Sequence, residues 1–267
     1  EAFYNNSLDK TFKVGEILSE ELLNEKSQFV ASKLKNAGFF TFTKNYLFFV
    51  ADTLNRNGGA ILNVDIKNYT RNESPNESKP HRIFTFNNIN YTTLRAARRN
   101  FEYVYEGDSI IAIPINNLTN SFDTLNYNSI NHIYNKKPLL RPKMVSRINY
   151  LSPGALYSEK LVQDTYNRIA NLKVFSSVNI QLNPIDSSHV DCNLNLTASQ
   201  LQGFKVGLEA SINSNSLLGI SPQVSYYHKN LFRGAEIFSV NVMGDFQFGL
   251  NNHKRAPEFG ISTSLSI

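Results

Sequence analysis

The chain has 267 residues, a net charge of +5 and 41% hydrophobic residues, enough for about two domains with packed cores. Its single cysteine, Cys192, excludes an internal disulfide bond, and no run of about 18 apolar residues predicts a membrane-spanning helix. The net positive charge permits contact with anionic lipid or nucleic acid, but it is equally typical of ordinary soluble proteins.

Residues 1–70 contain a helix followed by two strands. The helix follows the segment 15–22 and extends to Ala37, with an apolar stripe along one side, and Gly38 is placed to end it. A strand is predicted over residues 42–51, then a turn at Asn57-Gly58-Gly59, then a strand that carries Leu62, Val64 and Ile66. The second half of this region is therefore a hairpin.

Residues 71–80 contain no aliphatic or aromatic residue, and we interpret residues 71–81 as a linker or surface loop. Residues 82–89 alternate as a strand, with Ile83 or Phe84 and then Phe86 and Ile89 available for a core. Residues 91–139 form a long insertion with strand-like pieces at 101–105, 109–115 and 130–134. A short helix over 140–150 with Pro142 in its first turn follows.

The next helix is predicted from Ser158, a favourable N-cap residue, to Phe175. Two strands follow, the first with Val178, Ile180 and Leu182 on one face and the second with residues 190, 192, 194 and 196 on one face. The pattern Gly-x-x-x-Ser-Glu-x-Leu occurs at both 15–22 and 154–161, so one helix-plus-hairpin unit is repeated. The strand and helix that precede the second copy are expected to lie upstream of Glu1 in the first.

After residue 198 the helical signals end and alternation with a period of two continues to Ile267. Four strands of about 9–11 residues are predicted at 204–212, 218–226, 238–248 and 259–267, a length that crosses a bilayer at a tilt. A soluble antiparallel sandwich would give the same alternation. The absence of charge from the apolar faces and the aromatic residues near the strand ends favour a membrane barrel.

Three sets of residues resemble one protein family. The run Leu151 to Ser158, followed by Thr165, Leu172 and Phe175, resembles the last POTRA domain of the BamA/TamA superfamily. The segment Asn230-Leu231-Phe232-Arg233-Gly234-Ala235-Glu236 resembles the first periplasmic turn of its barrel. Tyr4-Asn5-Asn6 to Val14-Gly15, with residues 36–40 and 50–53, is similar to the TamA-like lipoprotein branch.

The resemblance implies an α+β fold with two POTRA-type β-α-α-β-β units followed by the first antiparallel strands of an outer-membrane β-barrel. The first unit, residues 1–70, would be incomplete at its N-terminus, and the second would span residues 82–198. Residues 199–267 would begin the barrel, with the first strand at 204–213. The strand that closes the family's barrel and its inward-folded Arg-Gly-Phe loop are not among these residues.

By resemblance, the protein is an assembly, insertion or translocation factor for outer-membrane proteins, with its POTRA domains in the periplasm and no cofactor. Its expected partners are unfolded outer-membrane protein clients, outer-membrane lipid and a periplasm-spanning or accessory assembly partner. Clients would add as a strand to POTRA edge strands. The edge residues are Ser177, Val178, Asn179, Ile180, Gln181 and Leu182, with Tyr46, Leu47 and Phe48 in the first unit. The residues expected to face lipid are Val206, Leu208, Val224, Val240, Val242 and Ile261.

Two other functions remain open: a two-partner secretion pore of the same superfamily, and a soluble periplasmic or surface binding module with a β-sandwich C-terminus. An enzyme is disfavoured, because no Gly-x-Ser-x-Gly elbow, P-loop or Gly-x-Gly-x-x-Gly occurs. The histidines at 81, 132, 189, 228 and 253 lack metal-ligand spacing, so we predict no metal site. The interleaved aromatic residues fit strand cores better than nucleic-acid binding.

Overall fold

A computed structural model describes residues 11, 13, 15–54, 59–71, 74–94, 101–106, 109–114, 122–135, 137–213, 217–249 and 257–266. Its helices are α1 (Glu20–Asn36), α2 (Pro142–Ile148) and α3 (Glu159–Asn171). Its strands are β1 (Leu47–Asp52), β2 (Ile61–Ile66), β3 (Tyr69–Arg71), β4 (Ser74–Lys79), β5 (Thr85–Leu94), β6 (Phe101–Glu106), β7 (Ser109–Pro114), β8 (Phe122–Tyr127), β9 (Ile130–Asn135), β10 (Phe175–Pro184), β11 (His189–Ala198), β12 (Gln202–Asn213), β13 (Leu217–Lys229), β14 (Ile237–Gly249) and β15 (Glu258–Ser266).

These residues divide into two compact units. The first contains the described residues within 1–89, 150–165 and 181–193, and the second contains those within 90–149, 166–180 and 194–267. No helix in the described part of the chain is both long enough and apolar enough to cross a membrane. The domain boundaries expected from the sequence stay predictions.

The repeated sequence pattern has the same local geometry in both copies. The Ser19 hydroxyl oxygen accepts a hydrogen bond from the Leu22 N–H at 3.1 Å, and the Ser158 hydroxyl oxygen accepts one from the Leu161 N–H at 3.4 Å. The two glycines that open the pattern, Gly15 and Gly154, have φ values of 90° and 79°, a conformation that residues with a Cβ rarely adopt. The shared glycine and serine are therefore explained by backbone geometry.

In the first unit, α1 packs its apolar side against the β1–β2 hairpin. The helix ends at Asn36, and Gly38 at φ 100° reverses the chain, as predicted. The strand predicted from residue 42 begins only at Leu47, because Lys44–Tyr46 form a 3-10 turn after the fully buried Phe42. The core residues are Val30, Ala31, Leu34, Phe39, Phe42 and Leu47.

The segment interpreted as a linker is different in the structure. Strands β3 and β4 pair antiparallel, with Tyr69 opposite Lys79 and a register irregularity between Thr70 and Arg71. Their backbones pair although residues 71–80 carry no aliphatic or aromatic side chain, so hydrophobic alternation does not reveal the strand. Residues 57 and 58 of the predicted turn lie outside the described residues.

The largest sheet has five strands in the order β10-β11-β5-β9-β8. Within the predicted insertion, β8 and β9 form a hairpin, and β9 pairs parallel to β5 from Asn90–Asn131 to Thr93–Tyr134. The hairpin turn is Asn128-Ser129, both at positive φ, as a two-residue type I′ turn requires. The strand-like pieces at 101–105 and 109–115 also form a hairpin, β6–β7.

The helices before β10 follow the predicted order, with one difference in length. Pro142 occupies the first turn of α2, as the sequence indicated. Helix α3 ends at Asn171 and not at Phe175, because Lys173 at φ 55° turns the chain and the buried Val174 and Phe175 lead into β10. Alternate residues of β11, from Val190 to Ala198, are buried.

The C-terminal strands form a four-stranded antiparallel sheet in chain order, β12-β13-β14-β15. All four predicted strands are present, and the first three are 12 or 13 residues long. The fold is thus α+β, with one mixed sheet and several antiparallel ones. Closure of the last sheet into a barrel is not seen among the described residues.

Candidate functional site

The predicted client-binding segment 177–182 lies in β10, the outermost strand at one end of the five-stranded sheet. Ser177, Asn179 and Gln181 are exposed, while Val178, Ile180 and Leu182 are half-buried against the core. The strand carries no charged side chain and has proline only at its last position. Edge strands are usually protected by lysine, internal proline or a bulge, so β10 has the features of an edge that accepts another strand.

The corresponding residues of the first unit are arranged differently. Leu47 is buried and Phe48 exposed at the start of β1, with the Lys67 ammonium 3.4 Å from the Phe48 ring centroid. Tyr46 is not in a strand: it lies in the 3-10 turn, and its ring contacts those of Phe42 and His81 at centroid distances of 5.9 and 4.6 Å. Packing of this aromatic cluster displaces Tyr46 from the predicted edge.

The opposite edge of the five-stranded sheet is β8, a strand that was not predicted from the sequence. Its residues are mostly exposed, including Phe122 and Leu125. The signal that could have revealed it is Asn128-Ser129, a pair of turn residues between two alternating segments. The insertion therefore extends the sheet and shields the β5 edge.

The β10–β11 turn contains a carboxylate, a hydroxyl and an imidazole. Asp186 Oδ1 accepts from the backbone N–H groups of Ser188 and His189, each at 2.7 Å, and Asp186 Oδ2 lies 2.7 Å from His189 Nδ1. The Ser188 backbone hydrogen bond, followed by the His189 side chain, lowers the pKa of Asp186 to about 2. All three residues belong to one turn, so the cluster closes the hairpin. Among the described residues, no group of three His, Cys, Asp or Glu side chains could hold a metal ion.

The segment 230–236 between β13 and β14 is a tightly hydrogen-bonded turn. Asn230, Arg233 and Ala235 have φ values of 81°, 63° and 65°. Asn230 Oδ1 accepts from the Ala235 N–H at 3.1 Å, and Glu236 Oε2 accepts from the N–H groups of Phe232 and Gly234 at 3.2 and 3.0 Å. These bonds hold three residues in the left-handed region, which residues with a Cβ otherwise avoid.

The turn is also bonded to the segment just before α2. Asn230 Nδ2 donates to the Leu139 carbonyl at 2.9 Å, and Arg233 Nη2 donates to the Pro138 carbonyl at 2.8 Å. The Arg233 carbonyl in turn accepts from the Arg141 N–H at 2.9 Å. The turn could be recognised in the sequence through its resemblance, but residues 138–141 could not be recognised as its partner, because contacts so distant in sequence leave no local pattern.

The electrostatics of the turn follow from these contacts. Burial alone would raise the pKa of the Glu236 carboxyl, but the N–H groups of Glu236, Gly234 and Phe232 and the charge of Arg141 lower it overall. The carboxylate is thus ionised and directed into the turn. Leu231 and Phe232 remain exposed at its tip.

The four-stranded sheet has one apolar and one polar face. Its register places Val206 opposite Val224, Val224 opposite Val242, and Val242 opposite Ile261, so these predicted lipid-facing residues share one face. Leu208 and Val240 belong to the same face by strand alternation. No Asp, Glu, Lys or Arg of the described residues occurs on this face, although Val206, Leu208 and Ile261 are 76%, 74% and 74% exposed.

Hydrogen-bonding side chains occupy the other face of this sheet. Asn241 Oδ1 accepts from Gln223 Nε2 at 2.8 Å and from Ser225 Oγ at 2.9 Å, and the hydroxyl oxygens of Ser239 and Ser264 are 2.7 Å apart. A sheet with these two faces can separate a hydrocarbon phase from water. Which phase each face contacts stays a prediction.

No protein-family model and no curated protein matches the sequence. Among solved structures, the chain is similar to BamA from Haemophilus ducreyi lacking POTRA domains 1–3, at 11% identity and a TM-score of 0.50, covering 99% of this chain and 45% of that one. It also matches CdiB from Acinetobacter baumannii at 12% identity and a TM-score of 0.42, covering 92% and 35%. A third match is POTRA3–5 of Haemophilus influenzae BamA, at 12% identity and a TM-score of 0.36, covering 73% and 55%. The chain spans less than half of the Haemophilus ducreyi structure, and at such low identity that likeness shows a shared fold alone.

Proposed function

We propose that this chain belongs to an outer-membrane protein assembly or translocation factor, with POTRA domains in the periplasm followed by the first strands of a barrel. The observation that carries the proposal is the four-stranded sheet with one exposed, uncharged apolar face, directly after a β-α-α-β-β arrangement. Soluble proteins rarely expose so large a contiguous apolar surface, whereas the lipid-facing side of a barrel requires one. Within the BamA/TamA superfamily, the sequence of the chain resembles the TamA-like lipoprotein branch.

In this proposal, clients bind as unfolded chains along the open edge of β10. The exposed backbone N–H and C=O groups of residues 177–182 supply the affinity, and the side chains contribute little. No cofactor or catalytic group takes part, and an accessory assembly partner uses the remaining periplasmic surface. A pore dedicated to one secreted partner has the same architecture and would accept a narrower range of clients.

The membrane part of the proposal is tested by accessibility in the full-length protein reconstituted in bilayers. Leu208→Cys and Val240→Cys are introduced separately in a Cys192→Ala background, so that each protein has one reporter within residues 1–267. Both cysteines should resist water-soluble thiol reagents and react with lipid-soluble ones. Ser239→Cys, on the polar face beside Val240, is the matched control and should react from water. If water-soluble reagents readily label Leu208→Cys and Val240→Cys in the folded protein, the soluble sandwich is favoured. That result would contradict the proposal of an outer-membrane assembly or translocation factor.

The client-binding part is tested by substituting proline and alanine at one position of the edge. Asn179→Pro removes a backbone N–H, whereas Asn179→Ala removes only the exposed side chain. If the N–H faces the open side, its loss should weaken binding of an unfolded outer-membrane protein by roughly tenfold, with little effect from alanine. The N–H of Val178 points to the opposite side of β10 from that of Asn179. Val178→Pro should therefore lower the stability of the protein if the Val178 N–H is the one that bonds to β11. Equal effects of proline and alanine on client binding, at unchanged stability, would contradict strand addition.

A further inference from the structure

The edge strand β8 ends a row of asparagine side chains that crosses three strands. Asn126 Nδ2 in β8 donates to Asn131 Oδ1 in β9 at 2.9 Å, and Asn131 Nδ2 donates to Asn90 Oδ1 in β5 at 2.9 Å. We call these three residues the asparagine row. Both bonds are donated toward the inside of the sheet, so the row ends at the sheet edge with Asn126 Oδ1 as an acceptor.

The backbone of β8 is also open on the side away from β9. Tyr127 and Ile130 flank the two-residue turn, so they exchange both of their backbone hydrogen bonds. Bonded pairs alternate from there, so the N–H and C=O groups of Phe122, Thr124 and Asn126 point away from β9. In the part of the chain that the structure describes, no strand pairs with that side. The strand has no bulge, lysine or proline, the features that usually protect an edge.

The side chains of β8 indicate the chemistry of a strand that could be added there. On the face that carries Asn126, an added strand extends the row if it supplies an amide or hydroxyl, as stacked Asn and Gln do in cross-β structures. The other face carries Leu125, which is 39% exposed opposite the buried His132, and the exposed Asp123 two residues away. An apolar side chain would cover Leu125, and a Lys or Arg would pair with Asp123, which disfavours an acidic residue in its place.

We propose that β8 is a second strand-accepting edge, which binds extended client segments with Asn, Gln, Ser or Thr on one face and an apolar residue beside a Lys or Arg on the other. The inference rests on the proposed function and adds a binding edge and a sequence preference to it. Strands of membrane barrels alternate in a similar way, and β14 places Ser239 and Asn241 on one face with Val240 and Val242 on the other. Backbone hydrogen bonds supply the affinity, and the asparagine row and Asp123 supply the selectivity.

The probe is a fluorescein-labelled peptide, Asn-Val-Thr-Lys-Thr-Val-Asn, which reads the same in both directions and can therefore pair in either orientation. Its matched control has Glu in place of Lys. Binding to the full-length protein in nanodiscs is measured by fluorescence anisotropy. The Lys peptide should bind severalfold more tightly than the Glu peptide, because opposite charges attract across paired strands and like charges repel. Asp123→Lys, a substitution of an exposed side chain, should reverse this preference, and an unchanged preference overturns the proposal.

A second pair of variants tests the backbone of β8. Thr124→Pro removes an N–H on the open side without removing a bond to β9, and it should weaken binding of the Lys peptide by roughly tenfold. Thr124→Ala removes only the side chain and should bind the peptide as the unsubstituted protein does. Equal binding by the two variants, at unchanged stability, overturns the proposal.

The same variants separate this inference from the proposed function when an unfolded outer-membrane protein replaces the peptide. Weaker binding of that client by both Asn179→Pro and Thr124→Pro supports two accepting edges. Weaker binding by Asn179→Pro alone refutes the β8 edge and leaves the proposed function in place. A client that is insensitive to both substitutions contradicts strand addition at either edge, and with it the client-binding part of the proposed function.

Discussion

Single side chains fix the positions of whole segments in this protein, and Asn230 is the clearest case. It is 5% exposed, adopts a positive φ, and uses its amide to bond both its own turn and Leu139. Asparagine tolerates the left-handed conformation better than other residues with a Cβ. Local sequence could indicate a turn here, but not that its first residue also holds the chain before α2.

We expect Asn230→Ala to lower the free energy of unfolding by about 2–4 kcal/mol. The substitution removes two buried hydrogen bonds and places alanine, which tolerates positive φ less well than asparagine, in the left-handed conformation. Denaturant unfolding of the full-length protein in lipid measures this loss. Asn230→Asp keeps the oxygen that accepts from the Ala235 N–H, so its free energy of unfolding should fall by about half as much. Asn126→Ala, an exposed asparagine substitution in β8, is the control, and an equal effect there would show that the turn contributes nothing specific.

A second residue-scale prediction concerns pH. His132 is 5% exposed, its Nε2 is buried with no partner among the described residues, and burial lowers its pKa. The unfolded chain, with an ordinary histidine pKa of about 6.5, therefore binds more protons than the folded one below that pH. Stability should fall as the pH drops from about 6.5 toward the lowered folded value. His132→Leu should flatten this decline in pH-dependent denaturation curves. Part of the pH dependence that remains should come from His81, because burial also lowers its pKa.

At the scale of elements, hydrophobic alternation and capping predicted most helices and strands, and tertiary contacts determined the exceptions. Strand β4 has no aliphatic or aromatic side chain, and β8 is short and exposed, so neither carries a strong periodic signal. Tyr46 fits the strand pattern, but aromatic packing holds it in the 3-10 turn. The repeat could be recognised because both of its helices use the same glycine and serine.

The two copies of the repeat are joined by a cap that the sequence does not reveal. Asn36, the last residue of α1, accepts at its Oδ1 from the Lys160 N–H at 2.8 Å and from the Ser158 hydroxyl at 3.0 Å. Its side chain therefore satisfies a free N–H group at the start of α3. The Lys35 ammonium lies 2.7 Å from a Glu159 carboxylate oxygen beside this contact.

Asn36→Ala should lower the free energy of unfolding by about 0.5–2 kcal/mol, the usual range for a lost N-cap. Differential scanning calorimetry should show a correspondingly lower melting temperature. Asn24→Ala on the same helix removes only an exposed bond from the Lys44 ammonium and should change stability by less than about 0.5 kcal/mol. Equal losses for the two variants would mean that Asn36 acts only within its own helix.

At the scale of the whole molecule, the sequence supports the separation between an α+β region and a purely antiparallel one. The four long strands could be predicted because each alternates over at least nine residues. The attachment of residues 230–236 to 138–141 could not, since about 90 residues separate the partners. A lipid-facing role for the apolar face is therefore best tested by pairs of adjacent substitutions.

Val224→Arg and Ser225→Arg place the same charge on opposite faces of β13. In lipid, Val224→Arg should lower the free energy of unfolding by about 2–4 kcal/mol, because hydrocarbon does not solvate the guanidinium. Ser225→Arg should lose about 1 kcal/mol, the contribution of its hydrogen bond to Asn241. Urea unfolding from vesicles measures both. Similar losses would contradict the assignment of one face to lipid and the other to water.

The order of the five-stranded sheet has a consequence for the sequence of folding events. Strand β11 lies between β10 and β5, yet it follows β5 by roughly 100 residues, so the sheet has a high contact order. The β8–β9 hairpin closes through a two-residue turn and can form as soon as it is available. As the chain folds from its N-terminus, this hairpin would cover one edge of β5 while the other edge waits for β11. Until residues 189–198 arrive, that edge exposes unpaired backbone N–H and C=O groups to pairing with another chain.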